Sequence, residues 1–319
     1  MSRIEEEIRA TGLAQVIVIL KKPRVRRAAL ERGAVGEVAA QPDLAGVSTA
    51  LEKYFTASQF SHEGALAEAM QPAPVRAGAR GALERGRVAA LPKARMYPHL
   101  GLMLGTVDKQ GLQGLKKDEH VQAVKAAPHL SLIRPVAEED TKLAGDVTWG
   151  VDHLEITKVW EQGFTGKGVL VGHLDTGVDG KHPALKTAIG HFAEFDPMGD
   201  PLPGAQPHDT DEHGTHTAGT IAGRKVRSTA FGVAPEAMLA SAIVIEGGNV
   251  IARILAGMDW VVGLGARVLS MSLGLRGYQE DFLPVTRTLR ACGVLPVFAV
   301  GNEGPGTSRS PGNYTLRGH

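Results

Sequence analysis

A chain of 319 residues can bury a substantial core in more than one domain, and two domains are the simplest division. Its 35 Lys and Arg face 34 Asp and Glu, so no net field draws the chain onto nucleic acid or an anionic membrane. A single cysteine, Cys292, excludes an internal disulfide framework and a cysteine-based metal cluster, while 40 glycines and 5% aromatic residues suit tight turns and close helix–strand packing.

The opening "MSRIEEEIRATG" is too acidic for a signal peptide, and no uninterrupted apolar stretch approaches the roughly 18 residues of a spanning helix. The chain is therefore expected in the cytoplasm, with export by a signal-independent route as the alternative. "AQVIVIL" (14–20) predicts a buried strand. The basic run that follows (Lys21, Lys22, Arg24, Arg26, Arg27, Arg32) reads as a solvated face rather than a binding patch. A second basic region, Arg76 to Arg95, reads as loop or marginal helix. Segments 99–108, 109–120 and 121–136 predict strand, helix and strand, a compact α+β unit with its core at about 95–136. The polar stretch 137–146 reads as a linker.

From Val147 the pattern alternates. A short amphipathic helix is expected at 153–163, buried strands at 166–175, 237–245, 266–274 and 293–302, and helices over "DEHGTHTAGTIAG" (211–223), 249–265 with Asn249 as its cap, and about 280–292. Strands apolar throughout, separated by helices, imply a doubly wound, mostly parallel sheet covered on both faces. Working groups of such sheets gather at the carboxyl ends of the strands. Cys292, inside "ACGVLPVFAV", reads as a buried small hydrophobe.

Asp175 ends the 166–175 strand, where it caps the following turn or serves a partner. His213 and His216 stand three apart with Gly and Thr between them, unlike the four-residue H-E-x-x-H spacing of zinc helices, and no third ligand is evident. The reading preferred is that His213 faces Asp175 as a general base while His216 packs against the sheet. Asn302, in "VGNEGPG", either caps a turn or offers an uncharged donor to an oxyanion.

In the order Asp then His, these residues resemble the subtilisin-like serine proteases, a chain order long known for that family. "HLDTGVDGKHP" is similar to its Asp block, "HGTHTAGTIAG" to its His block, "LSMSLG" to its substrate strand and "AVGNEG" to its oxyanion block, over most of 147–314. The resemblance implies that Asp175 orients His213, that His213 is the base and that Asn302 donates to the oxyanion. It also implies that Ser272, Leu273 and Gly274 pair with an extended peptide substrate, with Gly247, Gly248, Ala299 and Gly301 around the groove. The segment "GLQGLKKDEHVQAVKAAPHLSLIRPV" resembles the end of the family's propeptide, which implies that residues 1–140 are a ferredoxin-like domain that chaperones folding and leaves its tail in the cleft as an inhibitor, although 21–95 depart from the compact propeptide pattern. On this reading 141–148 is linker, processing falls within about 137–148, and 149–319 is the N-terminal portion of the catalytic domain.

Two further departures qualify the resemblance. The nucleophilic serine, expected inside Gly-Thr-Ser-Met-Ala, is not found, and neither Ser308 in "GTSRSPGNY" nor Ser272 fits the role. The chain ends at His319, 17 residues past Asn302, so the expectation is a truncated reading, a split protease whose second chain carries the serine, or a pseudoprotease that binds a peptide, with the sheet ending in an uncovered apolar flank. The second concerns calcium: Ala184 and the cationic loop 224–231 stand where the family often places oxygen ligands, so that site is expected absent, and no other cofactor is implied.

Overall fold

The computed structural model describes residues 1–21, 44–56, 93–133, 146–245 and 250–314. The chain divides into two compact units, Met1–Ala127 and Pro128–His319. Most of both basic regions, Asn249, and the linker and processing region up to residue 145 lie outside the described residues.

In the first unit Ser2 caps α1 (Arg3–Thr11) through a reciprocal bond with Glu5, and Gly12 ends it in the left-handed region. β1 (Ala14–Leu20) follows, then α2 (Leu44–Leu51), β2 (Ala94–Tyr97), β3 (Leu102–Val107), α3 (Lys109–Lys117) capped by Asp108, and β4 (Val121–Ala126). The sheet order β2-β3-β1-β4, antiparallel throughout, is the split β-α-β of a ferredoxin-like unit. Its core packs Ile4, Val16, Val18, Leu51, Phe55, Met103, Leu112 and Leu115 together. The strand expected over 121–136 stops at Ala126. Pro128 cannot donate to a ladder, and β5 (Ser131–Leu132) pairs instead within the second unit.

The second unit opens with α4 (Trp149–His153) and α5 (Ile156–Glu161), not the single helix expected at 153–163, because Glu155 adopts φ 53° and breaks the run. β6 (Leu170–Asp175), β7 (Ile189–Glu194), α6 (Glu212–Ala222), β8 (Met238–Ile243), α7 (Val250–Gly263) and β9 (Val268–Met271) follow. β10 (Leu273–Arg276), α8 (Leu283–Ala291), β11 (Leu295–Phe298) and β12 (Arg309–Ser310) complete it. A parallel sheet runs β11-β9-β6-β8-β7, confirming the doubly wound α/β class, and the strand β7 was not anticipated. Chain order reverses between β6 and β9, so the carboxyl end of β6 lies at the switch point where such sheets place their sites.

The strand expected over 266–274 divides at Ser272: β9 belongs to the parallel sheet, and β10 turns out of it to pair antiparallel with β5 and β12. β11 is an edge strand, and Leu295, Val297 and Val300 stand exposed rather than buried. Cys292 is half-buried because it sits at the C-terminal end of α8, its N–H bonded to Thr288 and Leu289, and not inside the strand. No helix among the described residues is long and apolar enough to cross a membrane.

Candidate active site

Side chains of β6 alternate between two layers. Gly172 and Leu174 lie against α7, where the side chain of Val261 and the Cα of Gly257 approach them. His173 and Asp175 face the opposite way, toward α6. Asp211 caps α6 through a bond from the His213 N–H, which places His213 in the first turn. The backbones of Gly177 and Gly214 touch so closely that a Cβ at residue 214 would overlap the carbonyl of Gly177, and Gly177 holds φ 120°. Asp209 braces the same junction, accepting from Thr176 Oγ1 at 2.8 Å and from the Thr215 N–H at 2.6 Å.

At this junction His213 Nδ1 lies 2.7 Å from Asp175 Oδ1, with both residues buried. Asp175 Oδ1 also accepts the Thr176 N–H at 2.8 Å, and Oδ2 accepts Thr217 Oγ1 at 3.2 Å, so the carboxylate caps its turn and serves the imidazole together. Burial pushes the Asp175 carboxyl up, but the hydrogen bond from His213, the neighbouring imidazoles and the Thr176 N–H outweigh it. The carboxyl is held below its ordinary range. An ionised acid on Nδ1 leaves Nε2 as the working nitrogen of the base.

His213 Nε2 is 3.2 Å from the carbonyl oxygen of Ile133. The Ile133 N–H donates to Ser272 O at 2.9 Å, and Leu132 and Ser131 are in register with Leu273 and Gly274. Segment 131–133 is thus an extended peptide added as a strand to the predicted substrate strand, its last described carbonyl at the imidazole. Both ring nitrogens of His213 face acceptors, an arrangement that only the doubly protonated imidazolium satisfies in full.

His216 does not pack against the sheet as expected. Three residues after His213 it is exposed and lines a cleft with Trp149, Leu154 and Phe231, whereas Thr217, four residues on, faces Asp175. Asn302 lies on the exposed loop after β11, where its N–H donates to Glu303 Oε2 at 3.1 Å. Gly301 there adopts φ 104°, and the Ala299 N–H bonds Met271 O at 3.2 Å. Arg309 ties this loop to the added strand, its Nε 2.6 Å from Glu303 Oε1 and its Nη1 2.9 Å from Ser131 Oγ. Ser308 Oγ accepts from Asn313 Nδ2 at 3.0 Å, a structural bond. Gly247 and Gly248 lie outside the described residues.

Among the described residues no group of three or more His, Cys, Asp and Glu is placed to hold a metal ion. Near Ala184, the Arg224 N–H donates to the Ala184 carbonyl at 2.7 Å, and its guanidinium donates to the carbonyls of Ala222 and Ala237 at 2.9 and 2.8 Å. Sequence reasoning missed His173, Thr217 and Asp209. A histidine two residues before Asp175 in an otherwise apolar strand was the available signal for the first.

Known proteins extend this picture. Residues 166–316 match the Peptidase S8 profile, the subtilase family. The chain is 35% identical to the alkaline protease of Alkalihalobacillus alcalophilus over 198 residues, 61% of this chain and 50% of that protein. It is 30% identical to subtilisin E of Bacillus subtilis (strain 168) over 229 residues, 70% of this chain and 55% of that protein. It spans about half the length of these curated relatives. The fold is similar to fervidolysin from Fervidobacterium pennivorans, described as a keratinolytic enzyme related to subtilisin, with a TM-score of 0.58 and 18% identity over 94% of this chain and 41% of that one. Residues 166–316 are thus a subtilase-family segment.

Proposed function

We propose that the chain carries the acid and base of a serine endopeptidase, with Asp175 orienting His213 and His213 taking the proton from a serine that residues 1–319 do not contain. The buried 2.7 Å bond between His213 Nδ1 and Asp175 Oδ1 is the observation that carries this reading. Asn302 would donate its side-chain amide to the oxyanion, and Ser272, Leu273 and Gly274 would bind the substrate main chain as β10 binds Ser131 and Leu132. No metal or other cofactor takes part.

The N-terminal unit would act as an intramolecular inhibitor whose tail occupies the groove. A docked tail blocks the substrate strand and, by offering Ile133 O to Nε2, favours the protonated and non-basic form of His213. Because the carbonyl at the imidazole is that of Ile133, processing would fall directly after Ile133, upstream of the 137–148 window that the resemblance implied. A preparation that supplies the serine, in the same or a second polypeptide, should label with a fluorophosphonate probe and hydrolyse peptides. His213→Ala should abolish turnover.

A binding module that holds an extended peptide without cutting it uses the same groove. The segment already held there, Ser131 and Leu132 against Gly274 and Leu273, is the observation that supports it. Absence of fluorophosphonate labelling from every preparation, including one co-purified with its native partners, would decide for the binder.

A further inference from the structure

Strand and helix periodicities mesh at this site. His173 and Asp175 lie two apart on one face of β6, and His213 and Thr217 lie four apart on the facing side of α6. Asp175 takes His213. The other two form a second contact that the acid–base pair does not itself use: His173 Nε2 lies 2.9 Å from Thr217 Oγ1. His173 is 1% exposed, and its Nδ1 lies 2.9 Å from Ser241 Oγ on β8.

Hydrogen counting orients this chain of groups. Thr217 has one hydroxyl hydrogen and several acceptors within reach: Asp175 Oδ2 at 3.2 Å, His213 O at 3.2 Å and Gly214 O at 3.1 Å. Were His173 Nε2 bare, it would claim that hydrogen. A Ser241 hydroxyl donating to Nδ1 would place the hydrogen of the neutral ring on Nε2, pointing at Thr217 Oγ1, and the Thr217 hydroxyl would then turn its own hydrogen outward. The charged carboxylate is the strongest of the remaining acceptors. Burial holds the ring neutral by lowering its pKa, against the pull of Asp175 on its own strand and Asp209 on the loop before α6, while His213 on α6 pushes the same way as burial.

We propose that His173 is a positioning residue which, by donating from Nε2 to Thr217, directs the Thr217 hydroxyl onto Asp175 Oδ2 and so fixes the plane in which Oδ1 meets His213. The catalytic consequence rests on the proposed function, but the hydrogen-bond relay does not, and its test needs no turnover.

The test is the titration of the His213 ring, followed by nitrogen-15 NMR in the 319-residue chain. Losing its second donor concentrates charge on Asp175, so Thr217→Val should raise the His213 midpoint by about half a unit, roughly threefold in the equilibrium. His173→Leu keeps the Thr217 hydrogen but frees it to be shared with the carbonyls of His213 and Gly214, so it should raise the midpoint by less. The double variant should shift no further than Thr217→Val alone. His173→Gln, whose amide nitrogen can replace Nε2, should stay near wild type. Should His173→Leu fail to fold, Ser241→Ala, which frees Nδ1 and lets the ring hydrogen move there, should give a smaller shift in the same direction.

An unshifted midpoint in a folded His173→Leu protein, additive shifts in the double variant, or an unshifted Ser241→Ala would overturn the assignment. Where the serine is supplied, His173→Leu should lower kcat with KM kept, and His173→Gln should restore it. Full peptide hydrolysis by His213→Ala would instead sink the assignment of His213 as the base, leaving the ring titration to judge the relay alone.

Discussion

At the scale of single residues, the pairing of Asp175 with His213 was legible and its support was not. Asp175 stands at the end of an apolar run and His213 at the start of a helix, two positions where a polar side chain demands an explanation. Thr217 looked like an ordinary helix residue, and His216 drew the attention that belonged to it. Periodicity alone does not tell i+3 from i+4 as the inward position. Asp175 also sets a pH dependence. Its folded-state carboxyl is depressed, so the stability it contributes is present above the unfolded value of about 4 and is lost as pH falls through the lower folded value. Acid unfolding followed by circular dichroism should therefore show a component below about pH 4 that Asp175→Asn lacks, with the variant less stable at neutral pH. Where the serine is supplied, Asn302→Ala should lower kcat by about two to three orders of magnitude with little change in KM.

At the scale of elements, strands were found where apolar runs occur, but their ends and partners were not. The run 266–274 gave no sign that Ser272 would divide a parallel strand from an antiparallel one, because main-chain pairing leaves little mark on side-chain type. An uncovered apolar flank was expected, yet the run 293–302 was read as a buried strand; β11 is the edge that carries this flank, with Leu295 and Val297 exposed. The junction of β6 and α6 depends on two glycines in contact. Gly214→Ala should destabilise by about 1–3 kcal/mol through overlap with Gly177, and should loosen the His213–Asp175 bond as α6 backs away. Arg224 knits the carbonyls of Ala184, Thr187, Ala222 and Ala237 around the start of its loop, a role a bound cation could otherwise fill. Thermal unfolding should accordingly be unchanged by a chelator and lowered by Arg224→Met; a Tm that falls with chelation would show a metal site after all.

At the scale of the whole molecule, composition and alternation were enough for an α/β domain preceded by an α+β unit, and four motif blocks were enough for the family. The resemblance implied a tail in the cleft but not which residues pair, since "PHLSLIRPV" reads as a continuation of β4 until β10 is seen to pair with Ser131 and Leu132. The contact between Nε2 and Ile133 O holds the segment at the imidazole. Amide exchange at Ile133, whose N–H bonds Ser272 O, should therefore accelerate in His213→Ala.

The central claim is that Asp175 and His213 serve a serine acting on the carbonyl of Ile133. It is tested most directly by the mass of the N-terminal fragment released when the serine is supplied. The account predicts a fragment ending at Ile133 from the wild-type chain and none from His213→Ala. Release of the same fragment from His213→Ala would contradict it.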